Sequence, residues 1–325
     1  MDRKKLPGII LSLLLTIWSF AAQAETYQWK DDSGRVHFSD RPPANNDITA
    51  VTLEMAPTED FKAIDLQWVT AEFELDRRSA ESINTLIPEI FYLYRTLFGL
   101  DLRRTVEVKL NLFDEKPAFD AWVSARTKEK VPANVLGIFL TKTREVAVWR
   151  HSEDVNEIVS TVLHESSHVI MAQLSPYAPS WIQEGMAEYF ETMTLENNML
   201  VVQPPATHLS RLQTWRETGK LINLRNYLGL PEQQWRGMVH DASPIPYTVA
   251  WGTLYFMLDS ENGKRVLRQI MQNMEKSQAW PNAEAIDNAY PGGLTRMDYE
   301  FFKWLQQDEI PEHRYVMHAL PDISD

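Results

Sequence analysis

Cysteine is missing from this sequence of 325 residues. A disulfide framework is therefore excluded, and so is a metal site built from thiolates. The remaining composition is that of a globular protein, because 44% of the residues are hydrophobic and 24% are charged. This composition supplies enough apolar mass for a sizeable core, and the length fits one large domain or two smaller ones.

Basic residues are scarce relative to acidic ones. The chain has 32 Lys and Arg against 45 Asp and Glu, for a net charge of −13 at pH 7. Nucleic acids and anionic lipids repel a surface of this sign, so neither is expected as a partner. The charge does not identify a substrate.

Long hydrophobic runs are also few, and the one that stands out lies at the N-terminus. The basic stretch MDRKK precedes the apolar residues 9–20, which are too few for a comfortable membrane span. The small residues Ala22 and Ala24 then form a cleavage signal. We interpret residues 1–24 as a secretory signal peptide, with an uncleaved N-terminal anchor as the alternative. We expect no stable membrane span in the mature chain.

The residues that follow have the pattern of a β-hairpin. Apolar residues alternate with polar ones on both sides of an Asp-Ser-Gly turn, at Tyr27, Trp29, Val36 and Phe38. We expect a small β accessory module at 25–45 and a polar, proline-containing linker at 46–65.

The accessory module carries the pattern Y-x-W-x-D…G…F-S-D-x-P-P. This pattern resembles a short domain of unknown function found at the N-terminus of many secreted proteobacterial proteins. The resemblance implies the envelope of a Gram-negative cell, with the mature chain periplasmic or secreted. It implies no activity.

From residue 66 onward the periodicity changes several times. It predicts, in order, a strand, a helix, a strand, a helix and two strands, at 69–75, 79–98, 106–112, 114–128, 135–141 and 145–150. After Ser152 strand patterns nearly disappear and helices follow one another. This order predicts an α+β domain over 66–325. A mixed sheet and a motif-bearing helix (66–174) precede a helical half (175–325), with a cleft where the two meet.

The helix predicted at 153–174, with Ser152 as its N-cap, contains the motif H-E-S-S-H. His164 and His168 lie one turn apart, so both can direct a ring nitrogen at one ion. Glu165 lies about 100° round the helix from His164, beside such an ion, where it can take a proton from water. The alternative is a set of solvated polar residues on an amphipathic helix.

A second helix, predicted at 180–191, offers a third ligand. Ser180 and Gln183 form a capping-box pattern. The proline-containing turn before this helix reverses the chain, so Glu184 can return to the histidines; a surface acid is the alternative. Gly185 lowers helix stability and therefore indicates a close approach to another element.

Two further acids follow on this helix, near the same face. Glu188 and Glu191 lie four and seven residues after Glu184. One of them can accept the remaining N–H of a ligand histidine.

The H-E-S-S-H motif followed by W-I-Q-E-G-M-A-E-Y-F-E resembles the gluzincin zinc peptidases of the peptidase MA-like superfamily. The resemblance implies a zincin-like fold, zinc bound by His164, His168 and Glu184, and Glu165 as the general base. It extends more loosely over residues 66–310. No G-x-M-E-N stretch precedes the motif, so an exopeptidase of the aminopeptidase type is not supported. The spacing from the motif to Glu184 is also shorter than in the aminopeptidase branch, so the geometry of the loop between them is not implied by the resemblance.

The resemblance also implies a tyrosine or histidine that holds the oxyanion near the metal. Tyr247 is our choice, because it lies in the first turn of a predicted helix and its hydroxyl can donate to a tetrahedral intermediate. Packing at the helix start is the alternative role. Tyr255 and His240 are weaker candidates. The histidines without a partner at ligand spacing are expected at the surface, namely His151, His208, His313 and His318.

These features predict a secreted zinc-dependent metallohydrolase, an endopeptidase that acts on peptides or proteins. One of the two strands within 135–150 could receive an extended substrate by strand addition, or simply form the edge of the sheet. Two other functions stay open: a non-catalytic zinc-binding or scaffold protein of the cell envelope, and an amidase that acts on cell-wall peptides. The sequence does not determine the oligomeric state.

Overall fold

This computed structural model describes residues 27–30, 36–39, 63–101, 104–174, 178–277 and 281–318. The predicted signal peptide and most of the predicted linker lie outside the described residues. The chain divides into two compact units, residues 1–59 and 60–325.

The first unit contains a pair of antiparallel strands, β1 (Tyr27–Lys30) and β2 (Val36–Ser39). Tyr27 lies opposite Ser39, and Lys30 lies opposite Val36. This is the pairing that the alternating pattern predicts for a hairpin.

The second unit begins with a mixed sheet and its helices. In chain order they are β3 (Ile64–Ala71), α1 (Arg77–Phe98), β4 (Val106–Phe113), α2 (Lys116–Thr127), β5 (Gly137–Leu140), β6 (Glu145–Trp149) and α3 (Val155–Leu174). The strand order is β3-β4-β6-β5. The first three strands are parallel, and β5 runs antiparallel to β6 at one edge. The predicted α+β class is confirmed.

Successive side chains of β4 point to opposite faces of the sheet, and apolar residues occur on both faces. Helices therefore cover both faces of this sheet. Val108 and Leu110 belong to the main core, into which α1 and α3 also pack. Phe113 and the neighbouring Ala147 of β6 face the opposite side, where they meet Phe119 of α2.

The second half is mostly helical. Its elements are α4 (Ser180–Glu191), β7 (Met193–Glu196), β8 (Met199–Val202), α5 (Ala206–Glu217), α6 (Leu224–Leu228), α7 (Glu232–His240), α8 (Ile245–Asp259), α9 (Glu261–Ser277), α10 (Ala283–Ala289), α11 (Gly293–Trp304) and β9 (His313–Val316). Helix α8 is buried on all sides from Thr248 to Leu258 and lies against α4. In the described parts of the chain no helix is both long and apolar enough to cross a membrane.

A small antiparallel sheet of order β7-β8-β9 interrupts this half, so three strands follow Ser152 where the sequence pattern predicts a succession of helices. Each of its strands has four residues, too few for a clear alternation. The turn between β7 and β8 is formed by Asn197 and Asn198, both with positive φ. Two asparagines in a left-handed turn are the one local signal for this hairpin.

Several predicted element boundaries differ from the structure. Strand β3 begins at Ile64, inside the stretch predicted as linker, and ends at Ala71. The helix predicted to start at residue 114 is α2, which begins at Lys116, and Asp114 pairs with Arg150 at 2.6 Å. Helix α3 begins at Val155 rather than at residue 153.

The capping box predicted for α4 is also absent, although the bounds of this helix match the prediction. The Ser180 hydroxyl donates to Glu232, and the Gln183 side chain donates to the carbonyl of Ala178. A tertiary partner therefore takes the Ser180 hydroxyl, and a carbonyl just before the helix takes the Gln183 side chain.

The close approach to another element that was predicted at Gly185 is present in the structure. A Cβ at this position would lie 2.8 Å from the Ala250 carbonyl oxygen of α8, which is backbone and cannot turn aside. We expect Gly185→Ala to lower the free energy of unfolding by about 1–3 kcal/mol through overpacking. The matched control is Gly237→Ala in α7, where a Cβ meets nothing within 4 Å. That change should raise stability by about 0.5–1 kcal/mol. Urea unfolding measures both, and equal effects would contradict the close approach.

Candidate metal centre

Helices α3 and α4 pack against each other and bring three potential ligands together. His164 and His168 face the same side of α3, with ring centroids 5.0 Å apart. The Oε2 atom of Glu184 on α4 lies 3.5 Å from Nε2 of His164 and 3.4 Å from Nε2 of His168. The three side chains keep 12–20% of their exposure, so they are largely buried yet reachable from solvent.

These distances suit a tetrahedral metal ion. Two ligand atoms that each lie 2.0–2.1 Å from zinc at the tetrahedral angle are about 3.3–3.4 Å apart. The observed separations of 3.4 and 3.5 Å are close to that value. Two imidazole nitrogens and one carboxylate oxygen are also a ligand set that zinc accepts at catalytic sites.

The protonation of the three groups reflects their mutual contact. Burial alone would lower the pKa of His164, but the carboxylates of Glu184 and Glu191 outweigh it and hold this pKa well above its ordinary value. Burial alone would raise the pKa of Glu184, but His168 and His164 hold it far below the ordinary value. The metal-free site therefore has an anionic acid beside a cationic imidazole.

Glu191 contacts His164 on the side of the ring that faces away from Glu184. Nδ1 of His164 donates to Oε2 of Glu191 at 3.0 Å, which leaves Nε2 directed at Glu184. Burial tends to raise the pKa of Glu191, but His164 lowers it overall. Of the two acids considered for this contact, Glu191 makes it and Glu188 does not.

Glu188 has another partner, which sequence reasoning missed. Its Oε2 accepts from Nε2 of His208 at 2.8 Å. The ligand atoms of His164, Glu188 and Glu191 also lie within 4.8 Å of one another. Because these two acids each hold a histidine N–H, this second group is a weaker candidate for a metal than the first.

Glu165 lies on the same turn of α3 as His164. Burial raises its pKa, the charges of His164 and His168 lower it, and the net shift is upward. Strand β5 passes directly over this side chain, since a Cβ on Gly137 would lie 2.9 Å from Cγ of Glu165. The glycine therefore allows an edge strand to approach the acid of the motif.

Tyr247 lies in the first turn of α8, as expected. Burial raises the pKa of its hydroxyl, and the nearby carboxylates of Glu184, Glu188 and Glu165 raise it further. The hydroxyl is thus a neutral donor on the side where these acids converge. Its ring also packs edge-on against Trp235, so the packing role proposed as the alternative is present as well.

The weaker oxyanion candidates do not join this group. The Tyr255 hydroxyl lies 3.1 Å from the Val202 carbonyl oxygen and 2.8 Å from that of Pro311. His240 is exposed at the end of α7.

The expectation that the remaining histidines lie at the surface is wrong for three of them. His208 retains 14% of its exposure and His313 retains 10%. His151 is half-buried, with Nε2 3.0 Å from the hydroxyl of Thr161. His318 is exposed. Their partners are distant in sequence or offer no ligand spacing, so local patterns do not reveal them.

Two family models match this chain. One, described as "Domain of unknown function (DUF4124)", matches residues 12–64, and the other, described as "Protein of unknown function (DUF1570)", matches residues 158–279. The first agrees with the N-terminal resemblance, and the second includes His164, Glu184 and Tyr247. Neither description names an activity or a metal. No curated protein and no solved structure has a significant match to the chain.

Proposed function

We propose that this protein is a zinc-dependent gluzincin-like endopeptidase that hydrolyses peptide bonds in the periplasm. The observation that carries the proposal is the position of Glu184, which lies 3.4–3.5 Å from both motif histidines, while the half-buried Glu165 lies close enough to both for their charges to offset part of the rise that burial causes in its pKa. A structural metal site has no use for that extra carboxylate, whereas a hydrolase needs a base there.

The chain would hold zinc through Nε2 of His164, Nε2 of His168 and Oε2 of Glu184. Zinc in such a site polarises a carbonyl group and makes nearby water more acidic. Glu191 keeps His164 in the tautomer whose Nε2 is free to bind, through the 3.0 Å contact with Nδ1.

The remaining residues would move protons and stabilise charge. Glu165 would accept a proton from the attacking water and deliver it to the leaving amine. Its raised pKa suits both steps, because the base must hold the proton before releasing it. Tyr247 would donate a hydrogen bond to the oxyanion, since its raised pKa keeps the hydroxyl protonated at neutral pH.

The edge of the sheet offers a place for the substrate. Strand β5 is the outer member of the order β3-β4-β6-β5, so β5 rather than β6 has an unpaired edge among the described strands. It also passes over Glu165 at Gly137. An extended peptide that pairs with this edge would run past the base, which favours cleavage within a chain.

The proposal is tested with purified protein. We expect about one zinc per chain by elemental analysis, and internal cleavage of a mixed peptide library that a chelator abolishes and added zinc restores. Zinc binding without cleavage of any peptide would favour the scaffold function. Digestion of purified peptidoglycan, with casein left intact, would favour the amidase.

Zinc binding should release a proton at neutral pH. The pKa of His164 lies well above its ordinary value in the metal-free chain, so the ring is protonated at pH 7 and must lose that proton to bind zinc. Apparent zinc affinity should therefore fall as the pH falls. Calorimetry in two buffers with different ionisation enthalpies measures the release. Binding enthalpies that are identical after correction for the metal's interaction with each buffer would contradict this prediction.

A further inference from the structure

A single histidine connects the two helices that carry the candidate ligand and the candidate oxyanion donor. His208 of α5 lies 2.8 Å from Glu188 through Nε2 and 2.9 Å from the Thr248 hydroxyl through Nδ1. Glu188 belongs to α4 and Thr248 to α8. The His208 ring also stacks on Trp251, with centroids 5.9 Å apart and an interplanar angle of 23°.

One tautomer of the ring satisfies all three groups. The Glu188 carboxylate can only accept, so Nε2 carries the hydrogen and donates it. Nδ1 is then an acceptor, and the Thr248 hydroxyl donates to it. Thr248 has no exposure, and the side chains of His208 and Glu188 retain 14% and 13%. Because buried polar groups are costly when unpaired, each contact supports the other.

Both partners of His208 lie next to residues of the candidate site. Glu188 lies one turn after Glu184 on α4, and Thr248 directly follows Tyr247 on α8. The backbones of these helices already touch at Gly185 and Ala250. The two helices also pack against each other at other positions. Apolar packing tolerates small rotations and slides, whereas the hydrogen bonds through His208 are directional and add a polar constraint on the same pair of helices.

We propose that His208 is a positioning residue that fixes α4 against α8, and thereby sets Tyr247 relative to Glu184. Both of its ring nitrogens are engaged, so it does not touch substrate. The inference rests on the proposed function for its effect on catalysis, whereas the link between the helices can be tested without catalysis.

The test removes one hydroxyl and leaves the shape. Thr248→Val deletes the donor to His208, and Thr248→Ser restores it. Thr253→Val is the matched control, because Thr253 also has no exposure on α8 but its hydroxyl donates to the Val249 carbonyl of its own helix. We expect Thr248→Val to lower kcat by about tenfold to a hundredfold with unchanged KM and zinc affinity. The serine variant and the control should retain kcat.

A second measurement keeps the inference independent of activity. Fluorotyrosine labelling gives a fluorine resonance for Tyr247, which is assigned by its loss in Tyr247→Phe. This resonance should shift in Thr248→Val and stay in place in Thr248→Ser and Thr253→Val. A resonance that does not respond to Thr248→Val, or responds equally to the control, would overturn the positioning role. If the wild type cleaves nothing, the proposed function fails while this resonance still decides the role of His208.

Discussion

Glu165→Gln is expected to retain zinc and to lower kcat by about 10²–10⁴-fold. Glutamine keeps the size and one acceptor oxygen of the side chain, but it cannot take a proton from water. Glu165 is not one of the three residues of the candidate metal site, so its replacement should leave metal binding intact. Zinc content and the steady-state kinetics of one cleaved peptide measure the two effects separately.

The control for this variant is Glu157→Gln, an exposed acid on the same helix, which should leave kcat unchanged. A Glu165→Gln protein with full zinc and full activity would remove Glu165 from its role as base. Loss of zinc together with activity would instead indicate that this acid supports the metal. The expected result and the second failure both lack activity and differ in the metal content alone, which is why that measurement comes first.

The metal-binding group was predictable because its signals are local. Two histidines four residues apart on a helix must share a face, whatever the rest of the fold does. Glu184 required one further step, a chain reversal between two helices, and the short connection with its prolines indicated it. Gly185 then marked the close contact with α8, without identifying that partner.

The contacts behind the metal-binding group were not predictable in the same way. His208 meets Glu188 and Thr248, which lie 20 and 40 residues away on separate helices. Nothing in the periodicity of α5 distinguishes His208 from a surface residue, because its partners become neighbours only after the helices pack. Strand β9 is a similar case, since it pairs with β8 over a long separation along the chain.

Local capping patterns failed where a tertiary partner competed. Asp114 is the first residue of one predicted helix, and Ser180 is the first residue of another. Each instead contacts a residue from elsewhere in the chain, Arg150 for Asp114 and Glu232 for Ser180. A charged partner forms a stronger hydrogen bond than a backbone amide does, so such positions follow the packing of the whole domain rather than the local pattern.

Single substitutions can decide which acids and histidines bind the metal, because the two candidate groups share only His164. His168→Ala removes a ligand from the group with Glu184 and leaves the other group complete. Glu188→Gln removes a carboxylate from the second group only. We expect His168→Ala to lose stoichiometric zinc and all cleavage, and Glu188→Gln to keep its zinc. Equilibrium competition with a chromogenic chelator measures both affinities.

The zinc affinity of Glu191→Gln should lie between those of these two variants, lowered by about 10–100-fold. The reason is that the native Glu191 orients His164 rather than binding the metal. Circular dichroism of each variant serves as the control for folding. If Glu184 is the third metal ligand, the loss of zinc affinity should be largest for His168→Ala, smaller for Glu191→Gln and smallest for Glu188→Gln. The opposite order, with Glu188→Gln losing zinc and His168→Ala retaining it, would move the metal to the other side of the His164 ring. Glu165 would then no longer stand beside the metal, and the hydrolytic mechanism would lose its base.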